Sequence, residues 1–292
     1  MVIEGSEFFD SAPRQTANPV TKIDVVGGRR WVVRGNFIHD FAKGGGNNIS
    51  YGAFLKGNSR DGLFARNLVA CSWDHSGQVR LGLSFGGGGS GPPKICEGGT
   101  CTPEHQDGMM RNNIIVNCSD VGIYLNEASG TTLVNNTVLE TRGIDARFQA
   151  TDAEIRNNVV AGRIKDRAGG SSTRSSNLVE PQSTLDGWFP DPSAADLSTV
   201  SGGATSRLVD SGETVSLRHD YCGSLRDDGA IDIGAVEYDD GSACDTASFG
   251  HALERMSGGD TGTAGDAGMR DAAAGDTASG DDTRRADANP PA

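Results

Sequence analysis

The feature that most limits how this chain folds is a recurring phrase in which an Asn precedes a short apolar run. It reads RNNIIVN at 111–117, VNNTVLE at 134–140 and RNNVVAG at 156–162. Looser copies are RGNFIHD at 34–40, ARNLVAC at 65–71 and SSNLVE at 175–180. The Asn residues are Asn36, Asn67, Asn113, Asn136, Asn158 and Asn177, separated by 31, 46, 23, 22 and 19 residues. Recurrence near 22 residues points to stacked repeats, and the 46-residue gap fits two coils carrying a loop. Each repeat carries a second strand that opens with Gly: YGAFLKG (51–57), GQVRLGL (77–83), GIYLN (122–126) and GIDARF (143–148). These runs are short, rich in branched and aromatic residues and bounded by turn formers, which is strand chemistry. The regular Leu frame of a leucine-rich repeat is absent.

The expected fold is therefore all-β: a right-handed parallel β-helix solenoid, its coils stacked at about 4.8 Å. An Asn at one bend of every coil would bond the Asn above and below and satisfy turn backbone that is otherwise buried. The Asn row is read as structural. VIEGSEFFD, near the start, already reads as a coil, so the chain is expected to begin inside a longer protein. No signal peptide or membrane-length apolar run occurs. The domain is placed at 1–245 and a disordered acidic Gly/Ala/Asp/Thr-rich spacer at 246–292. That spacer is similar to the stalk before a bacterial cell-surface sorting tail.

A net charge of −13 over 292 residues argues against nucleic acid as a partner. The six cysteines favour an oxidising compartment. Cys96 and Cys101 in CEGGTC would close a tight loop, Cys222 and Cys244 would clamp the carboxyl end, and Cys71 and Cys118 read as interior. Zinc is the lesser alternative, because no CxxC occurs.

Candidate chemistry lies on the solenoid face. Lys56 and Arg80 sit one coil apart, with an Asn-strand between them. At residues 51–82 the chain resembles polysaccharide lyase family 6, the chondroitinase B and alginate lyase family, within the pectate-lyase-like β-helix superfamily. The resemblance implies that Lys56 is the general base and Arg80 the general acid of a β-elimination on a uronic-acid glycan. A base Lys needs its pKa brought below about 10.4, and a neighbouring Arg would act in that direction. The family has His after the Arg where this chain has Leu81, and calcium carboxylates before the Lys where this chain has NNISYGAF. No cofactor is therefore expected, with calcium as the alternative although its usual carboxylate ligands are not seen.

The long insertion at 83–108 offers His105 and Asp107, with Glu104, as further acid–base candidates. Asn126, Asp145 and Arg147 extend the same sheet as candidate substrate-binding residues, with an ion-pair ladder between rungs as the alternative for Asp145 and Arg147. DDGAIDIGAVEY (227–238) is similar to the closing segment of secreted bacterial β-helix proteins and is expected to cover the last sheet edge. The expectation is a secreted or cell-surface monomer acting on a polysaccharide. A non-catalytic glycan-binding or structural surface solenoid is the alternative.

Overall fold

The computed structural model describes residues 1–87, 90–226 and 230–248. Its strands pair in parallel and form two seven-stranded sheets, one six-stranded sheet and one three-stranded sheet. The seven-stranded sheets run from Val2–Glu4 to Ser171–Ser175 and from Glu7–Phe8 to Leu178–Glu180, so the first residues do form a coil. The six-stranded sheet consists of β1 (Val20–Val26), β2 (Ile49–Lys56), β3 (Val79–Phe85), β4 (Ile123–Asn126), β5 (Ile144–Arg147) and β6 (Ile164–Arg167). Successive coils pair through the two seven-stranded sheets and the six-stranded sheet, and three of them also through the three-stranded sheet, as a parallel β-helix requires. The spacer expected from 246 onward lies outside the described residues except for Thr246, Ala247 and Ser248. Thr246 is buried, and its hydroxyl accepts from Leu197 N (2.7 Å) and donates to Ala195 O (2.7 Å).

The six Asn residues form one continuous ladder. Each donates Nδ2 to the next residue's Oδ1 at 2.9–3.0 Å, from Asn36 through Asn67, Asn113, Asn136 and Asn158 to Asn177. The same Oδ1 also accepts the backbone N–H of the preceding ladder residue. A second Nδ2 bond goes to a strand carbonyl, such as Asn113 to Phe64 O and Asn136 to Met110 O. Full satisfaction is what makes a buried amide affordable in this interior.

The residue before each ladder Asn turns the corner in the left-handed region: Gly35, Arg66, Asn112, Asn135, Asn157 and Ser176 have φ between 48° and 56°. Asn and Gly tolerate that region best, which accounts for the NN doublets. The first Asn of each doublet has a separate task. Asn112 donates to His219 O, Asn135 to Asp232 O and Asn157 to Glu213 O, so these side chains dock the carboxyl-terminal segment.

That segment differs from expectation. The described part of 227–238 forms no closing strand; it lies along the outer flank of the second seven-stranded sheet. Ile233, Ala235, Val236 and Tyr238 pack with Trp188, Phe189 and Leu208 against Leu68, Ile114, Leu139 and Val159. This makes a second apolar core beside the interior one, because the flank residues of this sheet are themselves apolar and need cover. The end of the stack is closed differently. Arg174 occupies the register position of core residue Ile155, donates to Ile164 O (2.9 Å) and pairs with Asp166 (2.8 Å).

The Gly that recurs at one register position in or immediately before four of the six groove-sheet strands (Gly52, Gly82, Gly122 and Gly143) also has a steric cause. A Cβ on Gly82 would stand 2.4 Å from Gly122 O and 2.8 Å from the Ile115 side chain, so the bend admits no side chain. Disulfides join Cys96–Cys101 and Cys222–Cys244 as expected, and also Cys71–Cys118, a link across 47 residues between coils. The three fit an oxidising compartment.

Asn136 stands mid-ladder, so Asn136→Ala leaves the Asn113 N–H and Nδ2 donors without their acceptor, takes one donor from Asn158 Oδ1 and should cost about 3 kcal/mol or more. Asn177, half-buried at the end, should cost about 1 kcal/mol when replaced by Ala. Urea unfolding of the two variants checks the difference, and equal losses would contradict the cooperative ladder described here.

Candidate functional site

Alternation along the groove sheet decides which side chains face out. In β2, Ala53 and Leu55 enter the core, so Phe54 and Lys56 point outward. Strand register then stacks Asp24, Phe54, Ser84, Tyr124, Asp145 and Lys165 in one outward row. A second row holds Val26, Lys56, Asn126, Arg147 and Arg167, with Gly86 between Lys56 and Asn126. A Cβ on Gly86 would lie 1.8 Å from Asn126 O, so this rung presents only backbone. Lys56, Asn126 and Arg147 of this row line a cavity of about 540 Å³. Tyr51, Phe54, Tyr124, Lys43 and Phe148 also line it.

The two outer-row cations of the cavity each sit by an aromatic ring. Lys56 Nζ is 4.2 Å from the Phe54 ring centre and 3.9 Å from Asp24 Oδ1. The Arg147 guanidinium lies 4.3 Å over the Phe148 ring and donates Nη1–H to Tyr124 Oη at 3.0 Å. Burial pushes the Tyr51 hydroxyl up to about 12; Tyr124 and Asp120 act in the same direction and Arg147 opposes them. Burial also raises Asp24, against the pull of Lys56. The lining offers Lys43, Lys56 and Arg147 but a single carboxylate, Glu127, a donor set unlike the oxygen cage that calcium needs. Among the described residues, no group of three His, Cys, Asp or Glu is placed to hold a metal ion.

The structure separates the sequence candidates. It brings Lys56, Asn126 and Arg147 together. Arg80 is elsewhere: it pairs in register with Ser50, six residues before Lys56, or about 20 Å along the strand. Its side chain is buried and donates Nη1–H to Cys71 O (3.1 Å) and His75 O (3.2 Å). Burial lowers its pKa, with Asp40 opposing. Arg80 holds the loop after the 68–70 strand and cannot act on anything bound at Lys56.

His105 lies inside the solenoid, fully buried and stacked on Phe85 at 4.0 Å, with no hydrogen-bond partner for either ring nitrogen. Desolvation depresses it from 6.5 to about 3, so it is a neutral core ring rather than an acid or base. Glu104 ties down the base of the insertion by accepting from Gly57 N (2.8 Å) and Ser90 N (2.9 Å). Asp107 is exposed in a turn outside the cavity lining. The insertion itself does dock beside the Lys56 corner, where Glu97 N donates to Gly57 O (2.8 Å) and Asn58 donates to Glu97 O (2.8 Å). Asp145 is buried and pairs with Arg167 of the next rung (2.6 Å), so the ladder reading holds for Asp145 with a different cation.

Phe54 and Tyr124 were readable from the sequence, because each stands two residues before an outward candidate and shares its parity. Tyr51 lies beyond the Gly52 bend and Phe148 in a turn, where alternation gives no guide.

The chain belongs to the right-handed β-helix family: the model described as "Right handed beta helix region" matches residues 1–160 and 94–180. No curated protein is a significant match to the chain.

The buried His105 yields a pH test. Its folded pKa of about 3 lies below the unfolded 6.5, so between these values the unfolded chain binds the extra proton. Its contribution to stability is complete above 6.5 and is lost as pH falls toward 3. Relative to His105→Phe, the wild type should lose about 1.4 kcal/mol per pH unit across that interval. Parallel stability–pH curves for the two proteins would overturn the buried neutral assignment.

Proposed function

We propose that this is a secreted or surface carbohydrate-active β-helix protein whose groove takes a uronic-acid polysaccharide and cleaves it by β-elimination. The observation that supports it most is the outward row in which Lys56 and Arg147 stand at either end of a pair of rungs that present only Gly86 and the amide of Asn126. Cations at both ends of a cleft raise the local concentration of an anionic polymer even on a chain of net charge −13. Arg147 pairs with a sugar carboxylate. Lys56, as the neutral amine, removes the proton beside a second carboxylate. The ring gains a carbon–carbon double bond and the glycosidic C–O bond breaks. Tyr124 supplies the proton to the departing oxygen, and Arg147 at 3.0 Å stabilises the phenolate left behind. Tyr124 thereby takes the acid role that the sequence resemblance implied for Arg80. No cofactor enters this scheme.

One observation favours a binding-only solenoid. Asp24, 3.9 Å from Lys56 Nζ, is a partner for the ammonium, which holds a carboxylate well but cannot accept a proton.

The test is the ultraviolet absorbance of unsaturated product from alginate, chondroitin, pectate and hyaluronan, with and without calcium. We expect absorbance on one polymer, reduced about 10²–10⁴-fold in Lys56→Ala. Arg147→Ala should raise KM about tenfold or more, as expected for losing a hydrogen bond to a charged group. Arg80→Ala should lower stability but leave turnover per folded molecule unchanged. Retention of a uronan without change in its length would establish the binding-only reading. Neither binding nor cleavage would sink both.

A further inference from the structure

The left-handed corner after the groove row contains one residue that does not belong there on conformational grounds. Register places Gly27 beside Gly57 in one part of the sheet, and Glu127, Phe148 and Ala168 beside one another in the other. All have positive φ, and Phe148 has φ of 71°. A bulky aromatic in this region is strained, and such strain persists where the surroundings over-determine it and a function uses it. The surroundings here do so. Thr151 N donates to Phe148 O (2.9 Å), and the Thr151 hydroxyl donates to Arg147 O (2.5 Å) while accepting from Ala128 N (3.1 Å).

Core packing does not explain the ring. Phe148 is half-buried and belongs to none of the three apolar clusters formed by the described residues. It lines the groove, with the Arg147 guanidinium 4.3 Å over its face. We infer that Phe148 is a positioning residue for carboxylate recognition: its strained backbone carries the ring under Arg147, and the ring holds the guanidinium over the groove. This rests on the reading of the groove as a uronan site. An Arg side chain loses much rotamer freedom when ordered, so a platform that orders it before the sugar arrives lowers the cost of binding.

The consequence is a site where stability and affinity part company. Phe148→Gly and Phe148→Ala both delete the ring, but only Gly relieves the backbone. Phe148→Gly should therefore melt a few degrees above Phe148→Ala, the reverse of their usual order in a strand. Both should bind oligosaccharides cut from pectate, alginate, chondroitin or hyaluronan about tenfold more weakly than the wild type, whichever polymer the groove takes. Phe148→Trp should restore wild-type affinity, because indole is the better platform for a cation. Wild-type affinity in the Gly and Ala variants would overturn the proposal while leaving the uronan site standing. An Ala variant that melts at or above the Gly variant would overturn its strain argument. Failure of the wild type to bind any of the four would remove the uronan reading and this inference together.

Discussion

The Asn ladder is the interaction on which the rest of the molecule depends. A stack of short strands could slip by one residue and turn its core side chains outward. A buried amide that donates twice and accepts twice has one place to sit, and a row of six sets six successive coils at the same angular position. The outward rows of the groove sheet inherit this register. Lys56, Gly86, Asn126 and Arg147 come from coils far apart in sequence, yet they form one line because their strands start from the same corner.

The solenoid also shows how a repeat protein acquires a second core. The outer flank of one seven-stranded sheet carries Leu68, Ile114, Leu139 and Val159, and the carboxyl-terminal segment covers it. Corner Asn residues of the doublets hold that segment by its backbone carbonyls. Within this cover, desolvation raises Asp232 to about 6 although it accepts backbone bonds from Asp210 and Tyr238. Asp232 thus serves the folding of the segment itself, and the groove lies on a sheet that this segment does not cover.

The charged residues of the chain sort by the direction in which the local backbone aims them. Arg80 and Glu104 are buried among backbone groups and secure loops. Lys56 and Arg147 are partly exposed and meet aromatic faces. A cation over a ring keeps its charge available to a ligand, whereas one bonded to backbone carbonyls already has its hydrogen bonds occupied.

The sequence by itself determined the class of fold, the corner Asn row, the Gly heads of the strands and two of the three disulfides. Each of these is local: a turn residue, a period or a short loop carries its own signal. It also named Lys56, Asn126 and Arg147, whose parity within their strands sends them outward. Only the tertiary structure decided which candidates meet. Arg80 was misplaced because spacing along the chain does not reveal register, and six positions of offset remove it from the groove. His105 was misread because a His at the end of an insertion looks exposed in sequence, while here it fills the gap between Gly62 and Gly108 and stacks on Phe85. The carboxyl-terminal cover, the Cys71–Cys118 link and the Arg147–Phe148 pair have the same cause. Each depends on where a turn delivers a side chain in space, and no repeat period encodes that.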